Sequence, residues 1–507
     1  MTVRRVMGIE TEYGITRPGD PAADPIQLSG LVVRGYAVRA GVTRALPLGA
    51  GWDYADETPL RDARGYEMAR ALADISQLTD EGDPSIANSV LSNGARLYVD
   101  HAHPEYSAPE VTTPRDAVLW DRAGEEVMVQ ALGALQDQGQ SLRLYKNNVD
   151  GKGASYGTHD NYLVPRSVPF PELVRGLLPF LVARQILCGA GRVGLGTMSQ
   201  LPGYQIGARA DYIETEVGLE TTLKRPLVNT RDEPHARADQ HRRLHLISGD
   251  ATLADVGTLL KVGTTSLVLR LIETGRAPRL ELADPVAAVR TVSRDPSLQA
   301  VVPLRDGRSM RGLDLLEAYL DAVRDALLDE PTGWVADHDT REVLHHWESL
   351  LEVLRTDPMR AADRVDWVAK LALLRGYRDR DGLAWDDPRL RLVDIQYSDL
   401  DPRRGLAARL RDSGRLTCLL TPEQVADAVK HPPPDTRAWF RGECVRRYAA
   451  QVRAASWDSV VFADPARGLR RVALPEPLHG TQKDTEALLD RHADALSLLA
   501  EMESAPA

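Results

Sequence analysis

An α+β fold, an antiparallel sheet with helices on one face, is the reading that three observations favour. Residues 5–13 and 93–105 alternate polar and apolar side chains with the two-residue period of a strand. Further strand-like runs follow in hairpin-like pairs, without a helix after each one. Beyond Thr252 the pattern turns helical as far as about Lys430.

The elements follow in chain order. In 5–13, Glu10 and Glu12 share one face and Ile9 and Thr11 the other. From Pro18 to about Asn88 the chain is rich in Gly, Pro, Asp and Arg with weak periodicity, which reads as an insertion. A mobile loop is expected over about 38–80, with a short helix near 66–73. In the second strand Arg96, Tyr98 and Asp100 alternate with Leu97 and Val99, so three polar groups aim one way. A helix is expected over 114–135, strands over 141–147 and 155–164, and a strongly apolar helix over 172–187. Strands follow at 205–215, 228–233 and 243–248, then helices at 254–273, 313–328, 341–354, 361–377 and 422–429. The run His431-Pro-Pro-Pro-Asp435 divides a large unit, 1–430, from a small one, 436–507, that reads helix, two strands, helix.

Bulk properties narrow the function. A chain of 507 residues needs more than one core. A net charge of −11 argues against general nucleic-acid binding. Only 7 of the 62 basic residues are Lys, and arginine suits bidentate contacts to carboxylate and phosphate. Cys188, Cys418 and Cys444 have no paired spacing, which fits a reducing cytoplasm and excludes a cysteine-rich zinc site. The longest apolar stretch, near 177–188, contains Pro179 and Arg184 and is too short to span a bilayer.

Four constellations carry chemistry. Glu10, Glu12, Asp100 and Glu105 offer the hard oxygen ligands that Mg²⁺ takes beside substrate phosphates. Asp100 is alternatively reserved as nucleophile or general base. His101 and His103 have a zinc-like His-x-His spacing, which a strand break at Pro104 would disrupt. In the segment from Tyr145 to Asn161, Gly151-Lys152-Gly153 fails the phosphate-loop pattern because Lys146 stands where Gly is required. His159 and Asn161 share a strand face and could bind metal and nucleotide. Arg231, Arg243 and His245 suit a phosphate, or else surface salt bridges. Trp457 heads the last hairpin, in core or against an adenine. The glycines at 189–196 follow a helix, so a dinucleotide fingerprint is not indicated.

Together these segments resemble the Pup ligase/depupylase family of glutamine-synthetase-like carboxylate–amine ligases. Met7-Gly-Ile-Glu-Thr-Glu-Tyr-Gly14, Asn93-Gly-Ala-Arg-Leu-Tyr98, His103-Pro-Glu-Tyr106, Ser155-Tyr-Gly-Thr-His159, Asn229-Thr-Arg-Asp-Glu-Pro-His235 and Arg242-Arg-Leu-His245 carry the likeness. The insertion with Trp52-Asp-Tyr54, the spacing Val99-Asp-His-Ala-His-Pro-Glu105 and Asp150-Gly-Lys-Gly-Ala-Ser-Tyr156 side with the depupylase branch. Asp160 stands where relatives usually carry Glu.

The resemblance implies a curved sheet cradle that holds ATP and Mg²⁺. Glu10, Tyr98, Glu105, His159 and His245 would hold Mg²⁺. Arg96, Ser107, Ala108, Asn161, Arg209, Arg231 and Trp457 would contact ATP, Ala108 through its backbone alone. Asp100 would be the catalytic carboxylate. The implied reactions are deamidation of the C-terminal Gln of Pup and cleavage of the isopeptide bond between Pup and a substrate Lys, with ATP bound and not consumed at each turnover. Pup and pupylated proteins are the expected partners, and contact with the proteasome system stays open. A Pup ligase that forms a γ-glutamyl phosphate and a non-catalytic Pup-binding regulator are the alternatives.

Overall fold

Alternation decides where the central strand lies. In β1 (Met7–Glu12), Met7, Ile9 and Thr11 are buried, which leaves Glu10 and Glu12 on the opposite face. The computed structural model describes residues 1–39, 50–55, 57–70, 73, 87–222, 224–330 and 335–504. The chain continues through α1 (Pro25–Arg39), β2 (Gly51–Trp52), β3 (Asn88–Val90), β4 (Arg96–Asp100) and β5 (His103–Ser107). Then come α2 (Pro114–Asp137), β6 (Thr158–Pro165), α3 (Phe170–Cys188), β7 (His241–Leu246) and α4 (Asp255–Glu273).

Six of these strands form one antiparallel sheet in the order β7-β6-β1-β5-β4-β3. The α+β expectation holds. Register fixes the chemistry: Glu10 lies opposite His159 on one side and Ser107 on the other, and Glu12 lies opposite Glu105. Glu105 in turn faces Tyr98, and Asn161 faces His245. One pleat phase thus runs across five strands and gathers their polar side chains on a single face.

Helices α1, α2 and α4 pack against the strands. Thr113 caps α2 by accepting the Asp116 N–H, and Pro114 starts it. Gly35 lets α1 lie close on α2, since a Cβ there would meet Leu135 Cγ at 2.9 Å. Charges buried behind the sheet are paired. Lys146 reaches Asp121 at 2.7 Å and Glu125 at 2.9 Å, and Arg184 reaches Asp160 at 2.6 Å. Asp160 therefore points away from the polar face, as its place in the alternation requires.

After the proline run the chain gathers a second apolar cluster that includes Phe440, Val452, Phe462 and Leu498. Its sheet contains β8 (Val452–Ala455), β9 (Ser459–Asp464) and β10 (Gly468–Ala473), in the order β10-β9-β8-β2. The fourth member, β2, comes from far earlier in the chain and pairs parallel with β8, Trp52 opposite Ala455. Trp52 and Val90 belong to this cluster too.

Several elements differ from the sequence reading. The region read as an unstructured insertion contains α1, whose Leu28, Val32, Val33 and Tyr36 are buried at helical spacing that Gly30 and Gly35 obscure. Tyr66 and Glu67 pair as a strand with Arg61 and Asp62, not as the start of a helix. Much of the loop expected at 38–80, and with it the expectation of mobility, lies outside the described residues. The strand expected over 205–215 is broken into Leu201–Gln205, a 3₁₀ turn at Ala210–Tyr212, and Thr215–Gly218. There the Asp211 carboxylate gathers donors from Arg192, Gln205 and the Gly196 N–H, and this bends the chain. Helices Pro285–Ser293, Pro388–Tyr397 and Leu406–Asp412 were not expected. No helix among the described residues is long and apolar enough to cross a membrane.

Candidate active site

The polar face of the sheet floors an open cleft. β1 supplies Glu10 and Glu12, β4 supplies Arg96, Tyr98 and Asp100, and β5 supplies Glu105 and Ser107. His159 comes from β6, and Arg243 and His245 from β7.

Two groups of possible metal ligands stand side by side on this floor. Glu10, His159 and His245 offer ligand atoms all within 4.8 Å of one another. Glu10 accepts from Asn161 Nδ2 at 3.0 Å and from Arg243 Nη1 at 3.4 Å, and it lies 3.3 Å from His159 Nδ1. Burial opposes ionisation of Glu10. The hydrogen bond with His159 and the neighbouring His245 and Arg243 outweigh it and hold the carboxyl well below the usual carboxylate range. Burial and the Arg243 charge push His245 well below the usual histidine range, so its ring is neutral and its nitrogen lone pair is free for a metal.

The second group is Glu12, Asp100 and His101, again with ligand atoms within 4.8 Å. Glu12 accepts the Gly157 N–H at 2.9 Å. Asp100 lies 2.9 Å from His101 Nδ1. Burial opposes ionisation of Asp100 too, but His101, then His159 and Arg96, hold it below the usual range. His101 adopts φ 52°, a left-handed turn that ends β4 and swings its ring back onto Asp100. The strand does break here, before Pro104, and His103 stacks on Tyr156 with centroids 4.1 Å apart and its Nδ1 3.8 Å from Glu12.

Glu105 sits between the two groups with both carboxylate oxygens buried and unpartnered. Burial, then the charges of Asp100, Glu12 and Glu10, push it well above the ordinary range. An orphaned carboxylate among three others is a place a divalent cation fits, and the donor set of carboxylate oxygens and imidazole nitrogens suits one.

Arginines line the wall above the floor. Arg96 is sandwiched between the Trp52 and Tyr98 rings, 4.0 and 3.9 Å from their centroids. Arg231 and Arg243 both reach Glu233. Beyond Glu10 a smaller apolar pocket opens, bounded by Ala108, Asn161, Pro234 and Trp457. Glu10, His235, Arg243 and Trp457 line both spaces, so the apolar pocket leads directly into the charged cleft. Trp457 lies over Arg441, 5.1 Å from ring centroid to guanidinium carbon, and edge-on to Trp52 at 5.3 Å.

The candidate residues named from sequence are largely brought together here, but one is placed differently. Arg209 is closed off from the cleft, with Nη1 on the carbonyls of Thr158 and Gly249 and Nε on Ser155 Oγ. Ala108 bounds the apolar pocket, with its N–H taken by the Ile9 carbonyl at 2.8 Å. Sequence reasoning grouped Glu12 with Asp100 but left out the convergence of His101 with them, which only the left-handed turn at His101 reveals.

A sequence profile of the Pup-ligase protein family matches residues 5–461. The chain is 52% identical to the depupylase of Acidothermus cellulolyticus, over 98% of this chain and 99% of that one. It is 52% identical to the Pup deamidase/depupylase of Mycolicibacterium smegmatis, over 99% of this chain and all of that one. Among solved structures it is similar to the Pup ligase PafA in complex with Pup, with a TM-score of 0.78 and 31% identity over 99% of this chain and 95% of that one. It also resembles PafA in complex with ADP, with a TM-score of 0.72 and 32% identity over 84% and 96%.

Proposed function

From the premise that this chain belongs to the Pup-ligase family, we propose that it is a hydrolase that deamidates the C-terminal Gln of Pup and cleaves the Pup–Lys isopeptide bond. Identity of about half to deamidases and depupylases, against under a third to the ligase of known structure, favours hydrolysis over ligation. Pup and pupylated proteins are its substrates, and three cysteines without disulfides fit work in the cytoplasm.

The observation that carries the reading is Asp100, an ionised carboxylate on the cleft floor beside Glu12. Both reactions act on the same side-chain carbonyl carbon, from which water displaces ammonia in one case and a lysine amine in the other. Asp100 is the carboxylate available to attack that carbon or to take a proton from the water. Its depressed proton affinity keeps it in the required form at neutral pH. His101 orients it through the 2.9 Å contact.

Glu10, His159 and His245 would hold Mg²⁺, with Glu105 and Tyr98 beside them. The apolar pocket under Trp457 suits an adenine, and Arg96, Arg231 and Arg243 line the way toward the phosphates. When bound, the metal would supply positive charge that, with the cleft arginines, stabilises an oxyanion. The structural relative solved with ADP supports nucleotide binding at such a site.

The test is to give the purified protein Pup ending in Gln, together with a non-hydrolysable ATP analogue. Release of ammonia and conversion to a terminal Glu are expected. No deamidation there, with Pup ending in Glu attached to a lysine in a parallel reaction that consumes ATP, would show a ligase instead.

A further inference from the structure

Four arginines line the cleft, and Arg225 is set apart from the other three. Arg96 has Glu57 3.9 Å away, Arg231 pairs with Glu233, and Arg243 reaches Glu10 and Glu233. Arg225 has no carboxylate within 4 Å among the described residues. Its one hydrogen bond there runs from Nη2 to the Ser155 carbonyl at 2.8 Å. The side chain is only 4% exposed, and its Nε–H is buried with no acceptor. Some deeply buried cations of this chain meet carboxylates, as Arg184 meets Asp160 and Lys146 meets Asp121 and Glu125, whereas Arg209, Arg242 and Lys261 rest on backbone carbonyls and lie away from the cleft lining. A buried, uncompensated guanidinium at the wall of a cleft is costly unless an anion arrives there.

Its position says which anion. Arg225 holds Ser155, and two residues on the Gly157 N–H holds Glu12, which shares its ligand group with Asp100. The nucleotide pocket opens at the other end of the floor, beyond Glu10 and Trp457. The cleft therefore carries an unpaired guanidinium, Arg225, in its wall beside the segment that holds Glu12, while the apolar pocket opens beyond Glu10.

We propose that Arg225 receives the free α-carboxylate of the substrate's terminal residue, an assignment that rests on the deamidase and depupylase reading. In both reactions the side chain of that residue carries the bond to be cut while its α-carboxylate stays free. The side-chain carbonyl and the α-carboxylate are joined by four C–C bonds, so roughly 5 Å separates them. A guanidinium in the wall of the same cleft reads the one feature that a C-terminal Gln has and an internal Gln lacks. Its planar fork matches a carboxylate in two-point contact.

The experiment compares Pup ending in Gln with a free carboxylate against the same chain ending in the α-carboxamide. Wild-type enzyme is expected to prefer the free acid by at least about tenfold in kcat/KM, since a charge-assisted bidentate contact exceeds a neutral one. Arg225→Gln should lose most activity on the acid and treat the two substrates within about twofold. Arg225→Lys, which keeps the charge but not the fork, should retain part of the preference. ADP binding should stay within about twofold in both variants. A wild-type-sized preference in Arg225→Gln, or no preference in the wild type, would overturn the assignment. Loss of ADP binding in both variants would overturn it as well, by showing a purely structural residue. Failure of the wild type to deamidate either substrate would instead remove the reaction itself, and this assignment with it.

Discussion

Glu12 and Glu105 occupy directly opposed positions on β1 and β5, like charges face to face in the middle of the sheet. Such a pair is destabilising unless a cation lies between or beside the two. Glu12 has the Gly157 N–H, whereas both Glu105 oxygens are buried without a partner. The polar floor is thus built at a cost to the empty protein, and a divalent cation offsets it.

Glu105→Gln should consequently raise the stability of the metal-free protein, by about 1–3 kcal/mol, the range for a buried polar group left unsatisfied. The stabilisation gained on adding Mg²⁺ should shrink in the same variant. Thermal melts with EDTA and with Mg²⁺ check both halves, and a variant less stable without metal yet equally responsive to it contradicts the idea.

Glu110 joins the sheet to the C-terminal unit by accepting from Arg437 at 2.7 Å and Arg441 at 2.5 Å. Burial opposes its ionisation, but the two guanidinium charges prevail and hold it at about 2 against an ordinary 4.5. A carboxylate with a depressed folded value stabilises at pH above the unfolded value and loses that contribution as pH falls toward the folded one. Glu110→Gln should then cost on the order of 3 kcal/mol at pH 7 and progressively less between pH 4.5 and 2. Urea denaturation of both proteins across that range measures the difference.

Trp457→Ala should weaken ADP binding by about tenfold or more, because stacking of a base on an aromatic ring contributes roughly 1–3 kcal/mol. Deamidation at saturating nucleotide should change far less. Calorimetric titration with ADP, paired with the activity assay, separates the two effects.

Asp160→Asn leaves Arg184 buried without its counter-ion, behind the sheet and away from the cleft. A loss of about 3–5 kcal/mol of stability is expected. Specific activity of the molecules still folded at low temperature should hold. A selective loss of activity with unchanged stability would mean that Asp160 reaches the chemistry.

How far the sequence reveals this protein depends on where side chains alternate cleanly. Glu10, Glu12, Arg96, Tyr98 and Asp100 could be assigned to one face because Met7, Ile9, Leu97 and Val99 fix the opposite one. Where glycines dilute a helical stripe, as at Gly30 and Gly35 in α1, the element escapes notice although its packing is tight. Left-handed turns such as His101 have no reliable signal in a non-glycine residue, so its contact with Asp100 was not legible. Long-range partners are hidden too. Nothing near Trp52 announces that β2 completes a sheet four hundred residues later, which sets Trp52 against both Arg96 and Trp457.

The central claim is that Asp100 performs the chemistry on a floor that binds metal and nucleotide independently of it. The most direct measurement is deamidation of Pup ending in Gln by Asp100→Asn, made alongside ADP binding in the same preparation. Ammonia release should fall below detection while ADP binds within about threefold of the wild type. Turnover at an appreciable fraction of the wild-type rate would contradict the account.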